Sequence, residues 1–113
     1  MTPGERYRAK RWAKFLIYTA KRKRPNRNQK VSINEEWILK QYLKQNKKCY
    51  WTGVELVITH KDHPLKPSLD RLKINGNYTK KNTVISCKSV NFGRNENSVS
   101  DFKNLISQIN KNN

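Results

Sequence analysis

Acidic residues are scarce in this 113-residue chain: 8 Asp and Glu stand against 25 Lys and Arg, a formal net charge of +17. Cysteine is scarcer still. Cys49 and Cys87 cannot build a disulfide framework, and a reducing cytoplasm is the expected compartment. No apolar run approaches the roughly 18 residues of a membrane span. The basic N-terminus lacks the apolar stretch of a signal peptide, so none is expected. Apolar residues make up only 35% of the chain, and its 3 Trp, 5 Tyr and 3 Phe must supply much of the burial. One domain with a modest core is expected.

The charge is unevenly spread. Residues 1–31 hold 11 of the 25 basic residues and one of the 8 acids. A polyanion is the simplest partner for such a surface. An anionic membrane is disfavoured, because the apolar residues form no broad, clean face. Residues 5–24 read as a helix, with no Pro or Gly between Glu5 and Arg24. Ala9, Trp12, Ala13, Leu16 and Ala20 recur at spacings of three and four and form one apolar stripe. Arg8, Arg11, Lys14, Lys21 and Arg22 lie largely off it. Pro25 ends the helix, and Arg24 to Lys30 is a basic linker. Residues 1–31 are therefore expected to be a basic helix and linker that contact a double-stranded DNA backbone through Arg8, Arg11, Lys14, Lys21, Arg22, Lys23, Arg24 and Arg27. The helix's apolar stripe packs on the core. Residues 32–113 are expected to be the domain proper.

Ser32 to Lys47 reads as a second helix, with Ser32 and Glu35 as a capping box and Trp37, Leu39, Tyr42 and Leu43 as its apolar face. Cys49 to Gly53 reads as a turn, followed by a short strand from Val54 to Ile58. Three residues after each cysteine, where a zinc ribbon has another, stand Thr52 and Val90. No structural zinc is expected, and both sulfurs read as small buried apolar groups. His60 and His63, with Asp62 between them, have a spacing that permits metal ligation but is weak evidence for it. A last helix, capped by Ser98 or Ser100 and running to about Asn110, shows Val99, Phe102, Leu105, Ile106 and Ile109 at helical spacing and is expected to pack on the core.

The stretch from Pro67 to Asn95 organises the rest. Leu69, Leu72 and Ile74 predict a strand over about 68–74, and Asn75-Gly76 signals a turn. Thr83, Val84 and Ile85 predict a second strand through Cys87, with a short helix from Lys88. The fold expected is α+β: an antiparallel hairpin plus helix, with supporting N- and C-terminal helices. Asp70 in the first strand and Asn91 on the helix are two oxygen ligands that one divalent ion could bridge.

The runs CYWTGVEL, SLDRL, GNYTKKNTVIS and CKSVNFGRN resemble, in that order, the HNH endonucleases of the ββα-metal type. They are most similar to small phage and mobile-element members that read C-x-x-T-G, S-L-D-R, G-Y-x-x-x-N-V and N-x-x-K. Asn77 and Thr83 are extra within the third motif, and Arg94 replaces the lysine of the fourth. The resemblance covers roughly residues 32–107. It implies a phosphodiester hydrolase in a bacterial or phage-infected host cell, with Asp70 and Asn91 as ligands of Mg²⁺ or Mn²⁺. It also implies that Asn82 pins the loop between the strands. Arg94, one turn after Asn91, would reach a phosphate.

Where most HNH sites carry a histidine base after the aspartate, this chain has Arg71. A guanidinium is no base at neutral pH, but it can clamp a phosphate. His63, just before the strand of Asp70, is the first candidate for the base, followed by His60 and Tyr78. The alternative is a non-catalytic DNA-binding module with a degenerate HNH fold. One such active site cuts one strand, so a duplex break takes two visits or a homodimer.

Overall fold

The computed structural model describes residues 1–22, 29–94 and 99–111. Pro25, Lys23, Arg24, Arg27 and Ser98, and the side chain of Arg94, lie outside that description. Helix α1 spans Pro3–Lys21, α2 Glu35–Lys44, strand β1 Pro67–Arg71, β2 Thr83–Cys87, α3 Lys88–Arg94 and α4 Val99–Lys111. The fold is α+β, with β1, β2 and α3 following one another as a ββα unit.

Helix α1 starts earlier than expected, because Pro3 and Gly4 are not breakers here. Pro3 sits in the first turn, where its missing N–H costs nothing, and the Thr2 side chain caps Glu5 N. Ala9, Ala13 and Leu16 are buried in the same core as Ile38, Tyr42, Leu69 and Ile85. The Trp12 indole N–H donates to Ile58 O at 2.9 Å, and Lys47 pairs with Glu5 at 3.0 Å. The basic N-terminal helix is thus bolted to the domain rather than hung beside it.

Helix α2 begins three residues later than its predicted capping box. Val31 bridges Tyr78, and Ser32 N donates to Tyr78 O at 3.0 Å, so residues 31–33 stay extended. Asn34 is the cap, its Oδ1 accepting from Trp37 N at 2.8 Å. The helix closes in a Schellman motif: Asn46 and Lys47 have φ of 55° and 63°, and their N–H groups reach Leu43 O and Tyr42 O. Its buried residues are Ile38 and Tyr42, while Leu43 is exposed.

Residues 47–57 form a knuckle: the expected turn over residues 49–53 is there, closed by Gly53 N on Cys49 O at 3.0 Å, but the strand after it is not. Lys48 bridges Glu55, and Cys49 N donates to Val54 O at 2.8 Å. Two-residue pairing is all the strand predicted over Val54–Ile58 achieves before the chain departs toward Leu65.

Strand β1 ends at Arg71, short of Ile74, because Lys73 and Gly76 close a turn (2.8 Å). β1 and β2 pair antiparallel with Leu69 opposite Ile85 and Asp70 opposite Val84. All five β2 residues are buried. Helix α4 departs most from its pattern. Phe102 is buried against Trp51, with rings in edge contact at 5.1 Å, but Leu105 and Ile109 are 45% and 47% exposed. It docks through its first turns only.

Candidate active site

Alternation along β1 puts Leu69 toward the main core and Ser68 and Asp70 on the opposite face. Which backbone edge faces outward follows from the ladder. Lys88 N donates to Lys66 O and Leu72 N to Asn82 O, so even-numbered β1 residues turn their N–H and C=O toward β2. Leu69 O therefore points to the free edge.

Asn91, on α3, reaches that edge. Its Nδ2 donates to Leu69 O at 3.1 Å and to Ser68 Oγ at 2.6 Å. A carbonyl oxygen accepts only, so this contact fixes which end of the amide is nitrogen. Neither bond uses Oδ1. Ser68 shares its face with Asp70, so Asp70 and Asn91 lie on one face of the hairpin.

Asp70 is only 3% exposed. Its Oδ2 accepts from the Trp51 indole N–H at 2.8 Å. Trp51 is the site residue that sequence reasoning missed. It stands 19 residues away in the knuckle, and nothing in CYWTG signals that its ring covers a carboxylate. Ser86 lies opposite Ser68 on this face, and its buried hydroxyl has no hydrogen-bond partner among the described residues.

Arg71, next along the strand, projects to the other face. Its guanidinium lies 5.1 Å from the Tyr78 ring centroid, and Nη1 donates to Gly76 O at 3.0 Å. The hairpin loop thus holds the arginine. Asn82 holds the loop: its Oδ1 accepts from Lys73 N at 2.8 Å, and its Nδ2 donates to Lys73 O at 3.2 Å and Asn77 O at 2.9 Å. One carboxamide takes over the ladder where β1 stops.

His63 does not present a base here. Its Nδ1 accepts from Leu65 N at 3.0 Å. A neutral ring accepting at Nδ1 carries its proton on Nε2 and is a donor there. His63→Ala is therefore expected to slow any cleavage by less than about tenfold, well below the loss from a general base. A loss of about 10²-fold, together with the acidic limb of the pH–rate profile, would restore His63 to that role.

A cleft of about 240 Å³ opens beside Asn91 along the free edge of β1, lined by Phe15, Thr19, Lys66, Ser68 and Lys88 among others. Lys66 and Lys88 are joined through Lys88 N and Lys66 O at 2.9 Å. Like charges at facing positions are destabilising on their own account, and an anion between them relieves this.

Cys49 and Cys87 meet beneath the hairpin, with Cys87 N donating to Cys49 Sγ at 3.4 Å. Burial raises the Cys49 thiol pKa, but the Thr52 hydroxyl and the N–H groups of Cys87, Thr52 and Trp51 outweigh it and hold the thiol below its usual value. Burial, with Cys49 beside it, pushes the Cys87 thiol up. The Thr52 side chain stands where a ribbon would have a third thiolate. Elemental analysis of purified protein should find no stoichiometric zinc, and one tightly held zinc per chain would contradict this reading of the knuckle.

Of the cations expected on α1, Arg11, Lys14, Lys21 and Arg22 are exposed and Arg8 is half-buried.

No family model matches this chain, and neither does a curated protein or a solved structure. The HNH resemblance accordingly rests on four motifs in order, set beside the placement of Asp70, Asn82 and Asn91.

For a divalent ion the donor chemistry fits. A carboxylate and an amide oxygen are hard donors of the kind Mg²⁺ and Mn²⁺ select. Among the described residues, no group of three or more His, Cys, Asp or Glu side chains is placed to hold a metal by itself. What Asp70 and Asn91 could offer an ion is a carboxylate and an amide oxygen.

Proposed function

We propose that this protein is a metal-dependent DNA endonuclease that hydrolyses phosphodiester bonds. The observation that carries this reading is the shared face of Asp70 and Asn91, with the Asn91 nitrogen turned to the strand and its oxygen left as the coordinating end. Asp70 and Asn91 would hold Mg²⁺ or Mn²⁺, which when bound supplies Lewis-acid stabilisation of the leaving oxygen and a template for the phosphate. Trp51 orients the Asp70 carboxylate through one oxygen and screens it from water. Lys66 and Lys88 draw the DNA backbone into the cleft beside Asn91. Arg71, held by Gly76 and Tyr78 on the face opposite Asp70, clamps a phosphate of the DNA backbone without moving a proton. The direct test is nicking of supercoiled plasmid by the purified chain with magnesium. Cleavage that stops with chelator supports the reading, and protein that binds but never nicks refutes it.

A second reading, a DNA-binding module without catalysis, is favoured by two observations. The Asp70 carboxylate is buried under an indole N–H, a structural role in its own right. The His63 lone pair is spent on the backbone.

Under either reading, binding depends steeply on salt. Contact with about six to eight phosphates gives a slope of log K against log salt of about −5 to −7. Replacing Lys21 and Arg22 by alanine should flatten it by up to about 1.8 and weaken binding to all sequences alike. An unchanged slope would show these side chains to be merely solvated.

A further inference from the structure

The outward face of α1 carries more than charge. At 3.6 residues per turn, Tyr7, Arg11, Lys14 and Tyr18 fall within roughly 60° of one another, opposite the buried Ala9, Ala13 and Leu16. Tyr7 and Tyr18 are each 63% exposed, and Arg11 lies 5.8 Å from the Tyr7 ring centroid. Lys21 and Arg22 continue the same face at its C-terminal end. Tyrosine is a middling helix former, so two of them on a solvent face are not there for helicity. The core does not use their rings either. A second copy of this chain is a poor occupant, because it would bring Arg11, Lys14, Lys21 and Arg22 against like charges. Flat rings interleaved with cations suit a polyanion that also offers flat faces.

We propose that this face of α1 is a stacking surface for unpaired bases, and that the chain prefers single-stranded or locally unpaired DNA over intact duplex. The two rings are separated by about 16 Å along the helix axis, a few nucleotides of extended strand. Arg11 and Lys14 between them meet the phosphates, while Tyr7 and Tyr18 take bases. A duplex offers this face its phosphates but keeps its bases stacked and out of reach. The proposal rests on the nucleic-acid half of the reading above and is independent of cleavage.

The test is an anisotropy titration of the full chain with labelled oligothymidylate and with a labelled duplex of equal length, in chelator, across a salt series. The wild type should bind the single strand more tightly than the duplex. The Y7A/Y18A variant should lose about tenfold or more per tyrosine on the single strand with its salt slope unchanged, and little on the duplex. The Y7F/Y18F variant should retain wild-type binding. The R11A/K14A variant should weaken both complexes and lower the single-strand slope by about 1.4. Equal losses on both DNAs in Y7A/Y18A, or none on either, overturn the proposal. So does binding to phosphatidylserine vesicles that Y7A/Y18A abolishes while single-strand binding persists, which would give the face to an anionic lipid surface. Because chelator is present throughout, a chain that never cuts leaves this result readable, and tighter binding to the duplex than to the single strand overturns the proposal while the nuclease reading stands.

Discussion

Asp70→Asn should reduce plasmid nicking by roughly 10²–10³-fold or more, the scale of losing one electrostatic partner of the transition state. The same change should leave the fold intact, because a carboxamide oxygen still accepts from Trp51 Nε1, now at 2.8 Å from Oδ2. DNA binding should hold or tighten, since a negative charge beside the phosphate is gone. Asp70→Ala should match the loss of activity and add a loss of stability. It strands a half-buried indole N–H without its acceptor, at about 1–3 kcal/mol, and Tm falls by roughly 4 °C per kcal/mol in a chain of this size. Thermal melts of the two variants separate the roles: equal nicking defects with unequal Tm assign Asp70 both a catalytic and a structural part. Wild-type nicking by Asp70→Asn would remove the aspartate from the chemistry and leave it as an anchor for Trp51.

Asn82 commands the next largest effect. Its side chain makes three hydrogen bonds that hold Lys73 and Asn77, and Gly76 between them carries Arg71. Asn82→Ala should cost roughly 1.5–3 kcal/mol, below three full bonds because water replaces some at this half-exposed site. Asn82→Asp should be at least as damaging, although it is isosteric. It points an anionic oxygen at two carbonyl oxygens, those of Lys73 and Asn77. Gly76→Ala attacks the same point from the other side, since its Cβ would stand 2.6 Å from Asn82 Nδ2. All three should slow nicking as well, because the loop that positions Arg71 loosens. Amide exchange at Lys73 and nicking rates would check this together. A variant with fast exchange and wild-type nicking would free the loop of any part in the reaction.

The legible parts of the chain were those whose determinants are local. The β-branched run Thr83–Ile85 marks β2, and α3 begins at Lys88, both where the pattern put them. What was not legible depends on partners distant in the chain. Ser32 is displaced as a cap by a bridge to Tyr78, 46 residues on. β1 stops early because a side chain from beyond the turn replaces its partner strand. Helix α4 has a clean apolar periodicity, yet Leu105 and Ile109 face outward: period specifies a face but not whether anything covers it. Asp70, Asn82 and Asn91 were singled out through motif order and spacing, and the structure puts Asp70 and Asn91 on one face of the hairpin and Asn82 in its loop. Trp51 was not singled out, because an indole N–H aimed at a carboxylate leaves no periodic trace. His63 was chosen for its nearness to β1 in sequence, and the structure spends its lone pair on Leu65.

The attachment of α1 sets the order of events during synthesis. Its 19 residues leave the ribosome before the rest of the domain, and a helix in a protein draws most of its stability from packing partners, which have yet to emerge. Its fastenings come much later: Lys47, Ile58, then Leu69 and finally Ile85 in the last strand of the core. At about 5–20 residues per second, roughly 3–13 s pass between completing α1 and completing β2. Until Ile38 and Tyr42 of α2 emerge, about a third of the way through that interval, a basic segment with two bare tyrosines has nothing to cover its apolar stripe. The core therefore closes only when Ile85 and Cys87 of β2 have emerged, the two fully buried residues that complete it.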